Sequence, residues 1–174
     1  MRKLRINRID FGTAFEANDF GSEAYLDSET GAVIIVTDET NMELEQRISE
    51  DDVLETVLSK IRADETLPEW ERDMLIAAAE VEFAHDSERY RRIPKQDSHE
   101  GYRDMQAYIG SLEDEHLREL LEVAVHGSGA FRRFKDVLGR YPEARQAWFK
   151  FRDEREKRRM TEWLASEGIE PEFE

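Results

Sequence analysis

The stretch AYLDSETGAVIIV, Ala24 to Val36, constrains the fold more than any other part of the chain. Ala24, Tyr25 and Leu26 read as one strand, and Ala32 to Val36 as a stronger one rich in β-branched residues. Between them, Asp27-Ser-Glu-Thr-Gly31 carries turn chemistry. Short polar side chains bond their own backbone, and Gly31 accepts a positive φ without a Cβ penalty. The second strand is apolar on both faces, which calls for helices over both faces or at one end. Arg89-Tyr-Arg-Arg-Ile-Pro94 reads as a short extended segment, because the residue before proline is biased away from helix. Proline is tolerated at a sheet edge, so this segment is the expected third strand.

The rest of the apolar pattern has helical spacing. Residues 9–18 predict a short helix with Ile9, Phe11, Ala14 and Phe15 as its apolar members. Ser49 to Asp52 resembles a capping box before Val53, Leu54, Val57, Leu58 and Ile61. Pro68 opens a helix carrying Trp70, Met74, Leu75, Ala78 and Val81, an apolar surface wide enough to predict a central, largely buried element. Asp97 or Ser98 caps the next helix, and Ser111 with Asp114 repeats the capping-box pattern before Leu117, Leu120 and Leu121. Two more helices follow, one starting after Gly129 and a long one from about Pro142 to Ser166, ended by Gly168. The expected class is α+β: a small antiparallel sheet, the hairpin plus the edge strand, packed with about six helices. At 174 residues a single domain is expected. It would comprise an N-terminal helix and hairpin over 1–37, acidic helices over 43–86 and C-terminal helices with a basic motif over 98–166.

Charge narrows the function. The net charge is −16, which repels phosphate and disfavours general affinity for nucleic acid or anionic membranes. There are no cysteines, which excludes disulfides, thiol catalysis and zinc–thiolate sites. The basic N-terminus lacks the apolar core of a secretory signal, and Ala32 to Val36 is far too short to span a bilayer. A cytoplasmic location is expected. The charge is also unevenly placed. Asp38 to Asp86 holds 16 acidic and 4 basic residues, whereas Ala130 to Met160 holds 11 basic and 5 acidic. That contrast suggests attraction between segments, within one chain or between two.

The basic segment begins at HGSGAFRRFKD, His126 to Asp136. Cations in the first turns of a helix face a dipole of like sign, losing about 0.3–1 kcal/mol each, so something negative is expected to compensate them. Gly127 and Gly129 allow close backbone approach, Ser128 can donate to an oxygen, and Arg132 and Arg133 can grip a carboxylate or phosphate. These residues, with Lys135, are the candidate site for an anion or partner. The spacing is not a Walker motif, and no H-x-x-x-H pattern exists, so no metal and no cofactor is expected. The histidines are His85, His99, His116 and His126. Only His126 adjoins the glycine loop, where it could serve a hydrolase with Ser128 or simply face a helix end.

In chain order, YLDSETG, LPEW, RYRRIP, YRDMQAYI, GSGAFRRFKDVL, WFKFRDER and WLASEGI form a recognisable string. On these motifs the chain resembles uncharacterised bacterial protein family 0158, from about Tyr25 to Ile169. Ser128 stands where that family often has a basic residue between the glycines. The resemblance implies a compact bacterial protein and brings no activity with it.

The preferred reading is a non-enzymatic binding or regulatory protein. It would engage an acidic protein partner, or a second copy of itself, through the Ala130–Met160 surface. The alternatives are a phosphate- or nucleic-acid-binding protein using the Gly127–Gly129 loop, and a hydrolase centred on His126 and Ser128. Nucleic acid is disfavoured by the net charge, and no membrane partner is expected.

Overall fold

Asp27 holds the hairpin closed in two directions. Its Oδ1 accepts the Glu29 N–H at 2.9 Å, fixing the turn, while both carboxylate oxygens accept from Arg89, Nε at 3.1 Å and Nη2 at 2.8 Å. The computed structural model describes residues 1–174 apart from Asn18, His85 and Asp86. The C-terminal end of the helix expected over 9–18, the end of the acidic segment and one histidine therefore lie outside the described residues. The chain is α+β, mostly helical, and its contacts cluster into two compact units. The first unit is Met1–Lys95 with Trp163–Glu174, and the second is Gln96–Glu162.

In the first unit, β2 (Ser22–Asp27) pairs antiparallel with β3 (Val33–Thr37), and β4 (Tyr90–Arg92) joins the other edge of β2. The Arg89–Asp27 pair ties β4 to the turn. A second, parallel pair joins β1 (Arg2–Ile6) to β5 (Ile169–Phe173), with Leu4 opposite Pro171. Gly31 has φ 81°, and a Cβ there would lie 1.8 Å from the Arg5 carbonyl oxygen, so the hairpin turn packs directly on the β1 backbone. Helix α1 (Arg8–Glu16) is capped by Asn7, whose Oδ1 accepts from Ile9 and Asp10. It buries Phe11 and Phe15, which pack on Trp163, while Ile9 stays exposed.

Helices α2 (Asp38–Glu45), α3 (Leu54–Ala63) and α4 (Glu69–Phe83) complete this unit. Val36, Leu44, Val57, Leu58, Ile61, Leu75, Ala78 and Ala79 form its core. Ile35 on the other face of β3 stays half exposed, so that strand is covered less completely than its composition suggests. Ser49–Asp52 is a turn before α3 and not its first turn. Asp52 Oδ2 accepts from the Ser49 N–H at 2.9 Å and also from Lys60 at 2.6 Å, but the helix starts at Leu54. Helix α4 departs from expectation too. It buries Leu75, Ala78 and Ala79, yet Trp70 is 64% exposed and Met74 37%.

The second unit comprises α5 (Glu100–Ser111), α6 (Glu115–Ala124), α7 (Ala130–Leu138) and α8 (Pro142–Ser166) as far as Glu162. Asp114, not Ser111, caps α6, accepting from the Leu117 N–H at 3.0 Å. Ser111 closes α5 instead, donating to the Tyr108 carbonyl. Phe134 and Trp148 meet edge-to-face at 4.9 Å, and Tyr108 meets Trp148 at 5.3 Å. Burying Phe134 contributes on the order of 2–3 kcal/mol, so this aromatic cluster anchors α7 to α8. Asp104 of α5, 2% exposed, accepts from Arg155 Nε at 2.6 Å and Arg159 Nη1 at 2.9 Å, pinning α8 to α5. Among the described residues no helix is long and apolar enough to cross a membrane.

Candidate functional site

The loop between α6 and α7 answers how its cations are compensated. Gly127 (φ 73°) and Gly129 (φ 78°) both adopt the left-handed conformation, and this reverses the chain so that α7 starts beside the end of α6. Arg133, in the first turn of α7, then points back. Its Nε donates to the Ala124 carbonyl at 2.9 Å, Nη1 to the Ser128 carbonyl at 2.6 Å and Nη2 to the His126 carbonyl. These are C-terminal carbonyls of α6 and of the loop that follows, the negative end of that helix's dipole. The guanidinium is thus counter-charged by backbone, and three of its five N–H donors are occupied. A Cβ on Gly129 would approach Arg133 Nη1 to 3.2 Å, so the glycine also leaves room for the clamp.

The other candidates divide. His126 lies against the Glu122 carbonyl, Nδ1 to O 2.6 Å, so Nδ1 is the protonated nitrogen that donates there. Like Arg133, it closes the end of α6. Ser128 contributes its carbonyl to Arg133 and is exposed. Arg132 points away, its side chain 89% exposed and its Nε 3.9 Å from Asp136 within the same helix. Lys135 faces a groove between α7 and α8 instead of the loop. Gly127, Ser128, Gly129 and Arg133 are therefore brought together, whereas Arg132 and Lys135 are not gathered with them.

That groove, about 480 Å³, is lined by Lys135, Asp136, Leu138, Gly139, Arg145, Trp148, Phe149 and Arg152. Phe149 is 46% exposed, and the Arg145 guanidinium sits over its ring at 5.5 Å from the centroid. The helical period explains the gathering. Arg145, Phe149 and Arg152 lie at i, i+4 and i+7, one face of α8, beside Lys135 of α7.

Arg47, Arg89, Arg92, Arg155 and Arg159 each lie within 3.3 Å of a carboxylate. Lys135, Arg145 and Arg152 have no carboxylate in ion-pair reach among the described residues. Arg72, Arg140 and Arg158 also lack a carboxylate in ion-pair reach among the described residues, but this groove gathers three such cations. The units differ in the same sense. The first has 12 basic and 27 acidic residues and the second 13 and 14, so nearly all of the net −16 belongs to the first. Of the aromatics interleaved with the basic segment, Phe134 and Trp148 are core, while Phe131 and Phe149 remain exposed.

Reading the sequence identified the basic segment but did not single out Arg145 and Arg152. Their signal was available in the seven-residue spacing around Phe149. Among the described residues no group of three His, Cys, Asp or Glu side chains is placed to hold a metal ion. His85 lies outside that description.

Comparison with known proteins supplies kinship. A curated relative, the UPF0158 protein PA5073 of Pseudomonas aeruginosa, is 31% identical over 67 residues, 38% of this chain and 44% of the relative. The chain thus spans less than half the length of that relative. No solved structure matches. The family model described as "Uncharacterised protein family (UPF0158)" matches residues 51–174, which include the loop, the groove and both helices that form it. The chain belongs to the uncharacterised protein family UPF0158.

Proposed function

We propose that this chain is a non-enzymatic binding protein of the bacterial cytoplasm that engages an acidic protein partner through the groove between α7 and α8. One observation carries the reading: Lys135, Arg145 and Arg152 surround the exposed Phe149 with no carboxylate in ion-pair reach among the described residues. Three cations against the single Asp136 give the groove a positive field within a chain of net charge −16. An acidic segment with an apolar or aromatic side chain fits both features. Its carboxylates meet the guanidinium forks, and its apolar group covers Phe149. Arg133, with Gly127 and Gly129, fixes the angle at which α7 meets α6 and so positions Lys135.

The phosphate reading of the glycine loop has less support. The Ala124, His126 and Ser128 carbonyls that converge on Arg133 are acceptors, and they would repel an anion brought to the same place. Fluorescence anisotropy with a labelled Glu/Trp peptide, against a Lys/Trp control, tests the proposal. The acidic peptide should bind and the basic one should not. Arg145→Glu should weaken binding about tenfold or more, since like charges at an interface cost several kcal/mol. Equal binding of both peptides, or indifference to Arg145→Glu, would remove the reading. Tight, salt-steep binding of single-stranded DNA at the same groove would replace it with the nucleic-acid alternative.

A further inference from the structure

The first unit displays a face opposite in sign and alike in character. A cleft of about 190 Å³ between α2 and α4 is lined by Glu39, Glu43, Trp70, Glu71 and Met74 among others. Trp70 is 64% exposed, far more than an aromatic on a helix with a buried stripe needs. Glu43 is neutralised by Arg47 in the next turn. Glu39 and Glu71 have no cation in ion-pair reach among the described residues. This face therefore offers an indole, a thioether and two uncompensated carboxylates. The α7–α8 groove offers a phenyl ring and three uncompensated cations.

We infer that the partner seated in the groove is a second copy of this chain, presenting its Trp70 face. The inference rests on the proposed function, and it names the occupant of the same site. Charge complementarity carries it. The chain's unpaired carboxylates beside an exposed tryptophan match its unpaired cations beside an exposed phenylalanine. A groove of about 480 Å³ falls within the size range of sites that enclose an aromatic group. An indole entering there covers the exposed part of Phe149 beside Arg145, and the guanidinium already over that ring is drawn into a drier cation–π cluster as water leaves. Glu71, the residue after Trp70, is carried with it towards Lys135 and Arg152. Each copy has one face of each kind, so the contact is heterologous and either closes into a ring or propagates.

Sedimentation velocity over a concentration series at low salt tests this. The weight-average mass of the wild-type chain should rise with concentration and fall back towards the monomer at about 1 M NaCl, where the Debye length shrinks to about 3 Å. Arg145→Glu and Glu71→Lys should each weaken self-association about tenfold or more. Mixed in equal amounts, the two variants should form a one-to-one complex that stops there. The first keeps an intact Trp70 face and the second an intact groove. A wild-type chain that stays monomeric throughout would overturn the inference, as would a mixture that fails to associate or a Glu71→Lys chain that assembles normally. The Glu/Trp peptide separates the two levels. If it binds the monomeric chain through Arg145, the proposed function stands without self-association. If it does not bind, the proposed function falls.

Discussion

Replacing Arg133 by methionine removes the charge and keeps much of the side-chain volume. Three hydrogen bonds to carbonyls are lost. The bond to Ala124 is partly buried, and a charged hydrogen bond there is worth about 1.5 kcal/mol net. The other two acceptors are exposed, so water replaces the guanidinium and each loss costs only about a few tenths of a kcal/mol. Against this, a cation leaves the first turn of α7, relieving about 0.3–1 kcal/mol of dipole repulsion. The balance is a destabilisation of about 1–1.5 kcal/mol. For a chain of this length that lowers Tm by roughly 2–6 °C. Arg133→Lys should fall between, because one ammonium cannot span three carbonyls. Differential scanning calorimetry reads the shift, and anisotropy with the Glu/Trp peptide, well below Tm, should show affinity within about twofold of wild type. An unchanged Tm together with lost peptide binding would make Arg133 a contact with the partner and not a clamp on α6.

Two further outcomes follow from the hairpin. Gly31→Ala forces a Cβ to within 1.8 Å of the Arg5 carbonyl oxygen at φ 81°, so β1 must leave the turn. A loss of at least about 3 kcal/mol in urea denaturation is expected, whereas Gly127→Ala, with φ 73° but open space, should cost about 1 kcal/mol. Burial pushes the Asp27 carboxyl up, but the Arg89 guanidinium and the Glu29 N–H hold it below the usual carboxylate range. Below about pH 4 the unfolded chain binds this proton more readily than the folded one, so stability from Asp27 is present at neutral pH and is lost as pH falls through its lowered pKa. The urea midpoint of wild type should therefore drop further between pH 7 and pH 3 than that of Asp27→Asn. An equal drop in both would deny Asp27 that role.

Local chemistry made the hairpin legible. Asp27 and Gly31 announce a turn, and RYRRIP can hardly be anything other than an edge strand. The β1–β5 pair was invisible because its partners stand at opposite ends of the chain. Neither RKLRI nor IEPEF has a run of β-branched residues, and the turn at Gly168 before IEPEF reads equally well as a plain helix stop. Capping patterns misplaced helix starts by a few residues at Ser49 and Ser111, since a side chain that can cap a helix can equally close a preceding turn. The exposure of Trp70 was hidden for a different reason. Periodicity shows which side of α4 is apolar, but not how much of that side the neighbouring helices are wide enough to cover. At the glycine loop, sequence raised the right electrostatic question. The compensating charge turned out to be the end of the preceding helix, and only the paired left-handed glycines, which bring α6 and α7 end to end, determine that.

The groove between α7 and α8 is the proposed seat of the partner. Titrating the ¹⁵N-labelled chain with the Glu/Trp peptide and following its amide and indole resonances tests it most directly. The Trp148 indole and the amides around Gly139 and Phe149 should shift progressively, while those of Gly127 to Gly129 stay in place. Shifts confined to the glycine loop, or none at saturating peptide, would contradict that placement.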